Sequence, residues 1–95
     1  MPVEPIRRRV VVRGRVQGVF FRDSVRRRAL SEGVSGWVGN REDGAVEALV
    51  EGAPDAVQAV IDFCAEGPSR AEVRDVEVID ESVGAGEPLR GFEVR

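Results

Sequence analysis

Four amino acids are missing from this 95-residue chain: histidine, lysine, tyrosine and threonine. Without histidine, the Ser-His-Asp and Cys-His mechanisms, phosphohistidine chemistry and histidine-ligated metal sites are excluded. Without lysine, the chain has neither a Walker-A lysine nor a Schiff-base amine. Any chemistry near neutral pH therefore depends on arginine, carboxylates, amides, hydroxyls, backbone groups or a thiol.

Cysteine and long apolar runs are also scarce. The single cysteine, Cys64, cannot form an intramolecular disulfide or build a zinc cluster, which fits a reducing compartment. The longest aliphatic run near the start, three valines at 10–12, is far shorter than a signal-peptide core or a membrane-spanning helix. We therefore expect a cytoplasmic protein.

Charge is divided unevenly along the chain, although the net charge is only −3. Residues 1–41 carry ten arginines and three acids, a balance of +7, and residues 42–95 carry four arginines and 14 acids, a balance of −10. The N-terminal half therefore favours an anionic ligand. The alternative is that the arginines at 7–9 and 26–28 form solvated faces, which the acidic half balances after folding.

Apolar periodicity and turn residues predict one domain over residues 1–95 with the element order β-α-β-β-α-β and a short last strand. Apolar residues recur every four positions ahead of Gly33, and Pro54 suits the first turn of a second helix. The predicted elements are a strand over 7–13, a helix over 21–32, strands over 35–40 and 45–51 around a turn at 41–44, a helix that starts at Pro54 and is stopped by Gly67 and Pro68, a bulged strand over 73–78, a loop over 84–88 and a strand with Phe92 and Val94. This order is typical of the α+β ferredoxin-like split βαβ sandwich, an antiparallel sheet with two helices on one face.

Residues 14–22 join the first strand to the first helix and combine two glycines with a helix N-terminus. Such a loop lets backbone N–H groups converge on an oxyanion, above all a phosphate. Arg22, in the first turn of the helix, adds a planar fork of donors for the same anion. The alternative is a tight turn with an incidental arginine.

Asn40 is the only asparagine in the chain and ends the second predicted strand. Its carboxamide both donates and accepts, so it suits holding a water molecule oriented toward a bound electrophile. The alternative is an ordinary turn residue.

Together, these segments closely resemble the two signatures of the acylphosphatase family. The first, G-x-V-Q-G-V-x-F-R, matches residues 14–22, and the second, G-[FYW]-V-x-N-x-x-x-G-x-V-x-x-x-x-x-G, matches residues 36–52. The resemblance covers nearly the whole chain. One departure is Gly39, where the family usually has a longer, often polar side chain.

The resemblance implies a hydrolase that converts acyl phosphates to a carboxylate and inorganic phosphate. It implies that Arg22 is the catalytic arginine that binds phosphate and Asn40 the asparagine that positions water. The implied phosphate cradle consists of the backbone amides of Arg15, Val16, Gln17, Gly18 and Val19. A monomer that uses no metal and no cofactor, with no membrane or nucleic-acid partner, completes the expectation.

Other residues suggest rival functions. Cys64 and Arg70 have the C-x5-R spacing of cysteine phosphatases, but Cys64 lies in the apolar stripe near a helix C-terminus, which predicts a buried, inert thiol. Acidic residues at 42–43, 47 and 51 are predicted to be surface charges and not metal ligands. Two non-catalytic alternatives stay open: an RNA-binding ferredoxin-like domain that uses the arginines, and an anion sensor.

Overall fold

The computed structural model describes residues 4–86 and 88–95. Its elements are β1 (Ile6–Arg15), α1 (Phe21–Glu32), β2 (Ser35–Asn40), β3 (Val46–Gly52), α2 (Pro54–Glu66), β4 (Glu72–Glu81) and β5 (Phe92–Val94). The strands form one sheet in the order β4-β1-β3-β2-β5, and both helices pack on one face of it. This is the predicted ferredoxin-like α+β fold. No helix in the described part of the chain is long and apolar enough to cross a membrane.

The last strand departs from the prediction of an antiparallel sheet. β1, β2, β3 and β4 pair antiparallel, but β5 pairs parallel with β2, with Phe92 opposite Gly36. The route of the chain explains the difference. β4 finishes at the end of the sheet where β1 and β2 begin. The chain then crosses this end of the sheet, and β5 starts beside the start of β2. The predicted 84–88 loop lies in this crossing, and its residue Glu87 lies outside the described residues.

The core forms between the helices and the inner face of the sheet. Alternation along the strands and the 3.6-residue period of the helices each bury one face, as the apolar pattern predicts. The fully buried members include Val10, Val12, Val46 and Val50 from the sheet and Phe21, Val25, Val57 and Val60 from the helices. This packing holds the start of α1 against the sheet.

β1 extends two residues past its predicted end. Gly14 lies opposite Val73 and Arg15 opposite Glu72, after a register shift that places the predicted bulge in β4. Gly14 has a φ of +131°, and a Cβ atom there would lie 2.1 Å from the carbonyl oxygen of Glu72. Glycine is therefore required at this position by a close approach of two backbones.

The arginines of β1 are largely neutralised by the acidic half of the chain. Arg7 is only 2% exposed, and its guanidinium bonds the carboxylate of Glu51 and, at 2.7 Å, the carbonyl oxygen of Ala85. Arg9 pairs with both Glu47 and Glu81 on the outer face of the sheet. These two arginines therefore stabilise the fold through ion pairs. The hydrogen bond from Arg7 to Ala85 also holds the crossing segment against this end of the sheet.

Candidate active site

A cavity of about 280 Å³ lies where the N-terminus of α1 meets the end of β2. Polar groups and aliphatic or aromatic side chains both line it. Its lining residues are Arg22, Asp23 and Asn40, then Val16, Phe20, Phe21 and Val94, with Gly18 in the loop. The fold therefore brings the two candidate catalytic side chains and two residues of the candidate cradle to one cavity.

The loop between β1 and α1 is anchored by its valines. Val16 and Val19 are buried in the core, while Gly18 turns the chain with a φ of +75°. Among the hydrogen bonds of the described residues, none has the backbone N–H of residues 16–19 as its donor. Such amides beside a helix N-terminus are available to an oxyanion. Arg15, the other residue of the predicted cradle, differs from residues 16–19 in position, because it is the last residue of β1 and not part of the loop.

The side chain of Gln17 joins this loop to the turn between β2 and β3. Its Nε2 donates to the carbonyl oxygens of Arg41 at 2.8 Å and Ala45 at 2.9 Å. These acceptors are 24 and 28 residues away in the sequence, so no local pattern predicts the contact. Because Arg41 follows Asn40 directly, Gln17 holds the candidate cradle and the candidate water-positioning residue as one unit.

The turn after Asn40 is stabilised by a network around Asp43. The carboxylate of Asp43 accepts from the backbone N–H of Ala45 at 3.1 Å and pairs with the guanidinium groups of Arg13 and Arg41. These contacts, led by the Ala45 N–H, lower the pKa of Asp43 to about 2. The carboxamide of Asn40 itself has no hydrogen-bond partner within the described part of the chain.

Arg22 is held at one end and open at the other. Its Nη1 donates to the carbonyl oxygen of Arg95 at 2.9 Å, and this is the one hydrogen bond that the side chain of Arg22 makes to the described residues. Arg95 is fixed in turn, since its N–H donates to Val38 in β2 and its guanidinium lies 4.5 Å from the ring centre of Trp37. The remaining N–H groups of Arg22 are therefore available on the cavity side.

Phe20, the residue before α1, has an unusual conformation. It has a φ of +62° and is the only non-glycine residue with a positive φ in the described ranges. The residue is 72% exposed and lines the cavity. Phe20 directly precedes the helix predicted over 21–32, and nothing in its neighbours signals a left-handed backbone at this position.

The rival thiol chemistry has no support in this geometry. Cys64 is 1% exposed on the buried face of α2, and burial raises the pKa of its thiol to about 12. A thiol of this kind is almost entirely protonated at neutral pH and is not a nucleophile. The predicted burial of Cys64 is confirmed, and burial is the cause of the raised pKa.

Comparisons with known proteins decide the family. The acylphosphatase family model matches residues 8–94. This chain belongs to the acylphosphatase family. It is 58% identical over 87 residues to an acylphosphatase of Rubrobacter xylanophilus, covering 92% of this chain and 77% of that protein. It is 54% identical to an acylphosphatase of Haloarcula marismortui over 94% of both chains.

Solved acylphosphatase structures agree with the sequence relatives. An acylphosphatase from Coxiella burnetii superposes with a TM-score of 0.88 at 37% identity, covering 96% of this chain and 93% of that one. The acylphosphatase from Bacillus subtilis gives a TM-score of 0.87 at 36% identity, covering 95% and 98%. The predicted acylphosphatase family, fold and enzyme activity are confirmed, and the relatives favour an enzyme over the two non-catalytic alternatives.

Proposed function

We propose that this acylphosphatase hydrolyses the carboxyl-phosphate anhydride of a small acyl phosphate at the cavity between α1 and β2. In this proposal, Arg22 and the backbone amides of residues 15–19 bind the phosphoryl group, and Asn40 orients the attacking water. The observation that carries it is the single cavity that both Arg22 and Asn40 line, together with Val16 and Gly18 of the loop.

The reaction suits a chain without histidine. The water oxygen attacks phosphorus, and the bond from phosphorus to the acyl oxygen breaks with its electron pair leaving on the carboxylate. The parent carboxylic acid has a pKa of about 4, so the carboxylate departs at neutral pH without a general acid. The proton of the attacking water passes to a phosphate oxygen of the substrate, so no protein base is needed.

Positioning and charge stabilisation are then the tasks of the protein. In phosphoryl transfer the negative charge is spread over three equatorial oxygens, where fixed N–H donors lower the barrier. The free N–H groups of Arg22 and the amides of residues 16–19 supply such donors. Asn40 lies at the end of β2 with its carboxamide uncommitted, as a water-positioning group requires.

The proposed compartment, oligomeric state and cofactor requirement are those expected from the sequence. We propose that residues 1–95 form one domain and that the enzyme is a cytoplasmic monomer. Its substrate would be a small molecule, its product inorganic phosphate, and turnover would require no metal or cofactor.

The test is hydrolysis of benzoyl phosphate, followed in the ultraviolet, in EDTA and again with added Mg²⁺. The variants are Arg22→Ala and Asn40→Ala, with Arg28→Ala and Gln58→Ala as matched controls on exposed helix faces. Arg22→Ala should weaken competitive inhibition by inorganic phosphate, since each lost charge-assisted bond costs roughly 1.5 to 3 kcal/mol. Asn40→Ala should keep the phosphate inhibition constant but lose about a hundredfold in kcat.

Three results would contradict parts of the proposal. Folded wild type without turnover would refute the reaction at this site. A requirement for Mg²⁺ would refute metal-independent chemistry. A large rise in the phosphate inhibition constant of Asn40→Ala would show that Asn40 binds phosphate and does not act on water.

A further inference from the structure

The cavity beside Arg22 has apolar lining residues that the proposed phosphate binding does not use. The proposed phosphate contacts come from Arg22 and backbone amides, and Asn40 is assigned to the attacking water. The ring of Phe20 and the side chain of Val94 line the same cavity and offer neither a donor nor an acceptor. A carboxyl-phosphate substrate has two ends, and only its phosphoryl end is matched by the polar groups.

Phe20 is a large apolar side chain left in contact with solvent. At 72% exposure, its ring adds little to the core, in contrast with the adjacent Phe21, which is 1% exposed. The apolar surface of an exposed ring beside a cavity is removed from water only when a ligand binds. Such a ring therefore contributes to the free energy of binding and not to that of folding.

The backbone of Phe20 strengthens this reading. A φ of +62° and ψ of +23° is unfavourable for a bulky side chain, whereas glycine adopts it without strain. The curvature of the loop accounts for the positive φ but not for the phenyl group. Strain of this kind is typically retained where a side chain has a function that a better-suited residue would lack.

We propose that Phe20, with Val94, forms an acyl subsite that selects acyl phosphates with a bulky apolar acyl group, aromatic or branched, over those with a small one. The subsite rests on the proposed phosphate site, because it takes the acyl end of a substrate whose phosphoryl end Arg22 holds. The ring of Phe20 covers the acyl group, removes it from water and sets its orientation.

The experiment compares benzoyl phosphate with acetyl phosphate as substrates of the wild-type protein and of Phe20→Gly. Glycine keeps the left-handed backbone and removes only the ring. The ratio of kcat/KM for benzoyl phosphate to that for acetyl phosphate should fall about tenfold, the order expected for burying one ring face, with most of the change in KM. The inhibition constant of inorganic phosphate should stay at the wild-type value, and Tm should be no lower than that of the wild type.

Two further variants sharpen the result. Phe20→Tyr retains the ring and should restore the wild-type ratio. Leu30→Ala removes an exposed apolar side chain from α1, away from the cavity, and should leave the ratio unchanged.

The outcomes separate this inference from the proposed function. If wild type hydrolyses both substrates but Phe20→Gly leaves their ratio unchanged, the acyl subsite is refuted and the phosphate site stands. If Phe20→Gly raises the phosphate inhibition constant, Phe20 acts through the cradle and the subsite is again refuted. If wild type hydrolyses neither substrate, the proposed function itself fails.

Discussion

Arg22 donates a hydrogen bond from Nη1 to the backbone carbonyl oxygen of Arg95 at 2.9 Å, across 73 positions of sequence. The N–H of Arg95 donates at 2.8 Å to Val38 in β2, the strand that Asn40 ends. The two proposed catalytic residues are therefore attached to one strand, Asn40 by the chain and Arg22 through the Arg95 backbone. A guanidinium suits this arrangement, because one nitrogen can be held while the others face an anion.

Arg22→Lys tests the need for that fork. We expect the variant to fold normally but to bind inorganic phosphate about ten- to hundredfold more weakly, although its charge is kept, because an ammonium group cannot reproduce the planar, two-sided geometry. Competitive inhibition of benzoyl phosphate hydrolysis gives the constant. A value equal to that of the wild type would show that charge alone suffices at this position.

Gln17 is expected to stabilise the site through its side chain. Gln17→Ala removes one of the two donors of each carbonyl oxygen, since Arg41 still accepts from the N–H of Gly44 and Ala45 from the N–H of Arg41. The free energy of unfolding in urea should therefore fall by about 0.5 to 1.5 kcal/mol, and kcat should fall with it. Gln58→Ala, on an exposed face of α2, is the control and should change neither quantity much.

Gln17→Glu gives a second, pH-dependent readout of the same contact. At pH 7 the carboxylate would face two carbonyl oxygens with no hydrogen to donate, so this variant should be less stable than Gln17→Ala. Protonation restores a donor, so its deficit should shrink as the pH is lowered toward 4. Equal stability of Gln17→Glu and wild type at pH 7 would show that the two hydrogen bonds contribute nothing.

Gly14→Ala should be among the most damaging single-methyl changes in this chain. The new Cβ would lie 2.1 Å from the carbonyl oxygen of Glu72, and only a shift of the β1–β4 pairing relieves the clash. We expect the free energy of unfolding to fall by more than about 3 kcal/mol.

Gly84→Ala is the matched control for Gly14→Ala. Gly84 also has a positive φ, +80°, but a Cβ there would meet nothing within 4 Å, so only the backbone strain of about 1 kcal/mol is expected. Urea unfolding compares the two variants. Equal losses would mean that the clash at Gly14 is relieved without cost.

The lowered pKa of Asp43 predicts that the free energy of unfolding falls at acid pH. Its pKa is about 2 in the folded protein against 3.8 ordinarily, so the carboxylate stabilises the fold fully above pH 3.8, and this contribution is lost as the pH falls toward 2. Asp43→Asn should therefore lose less stability than the wild type over this window when urea unfolding is measured at each pH. Identical slopes for the two proteins would contradict the assignment.

Local signals in the sequence determine the helices and the turns. α1 and α2 span the predicted residues because their boundaries depend on neighbours: Gly33 adopts the left-handed conformation that ends α1, and Pro54 occupies the first turn of α2. Strand ends are less predictable, since β1 continues through Gly14 only because β4 lies opposite with a bulge. The parallel pairing of β5 depends likewise on where the preceding strand ends.

The sequence by itself predicted the candidate residues Arg22 and Asn40, the candidate phosphate-binding loop and the family, because these depend on short motifs and on the chemistry of single residues. Only the tertiary structure decided that both side chains line one cavity, that Gln17 joins the loop to the turn after Asn40, and that Arg7 and Arg9 of β1 pair with acidic side chains. It also decided the left-handed conformation of Phe20. The physical reason is distance along the chain: these contacts join residues that no local pattern relates, and packing of the whole fold sets them.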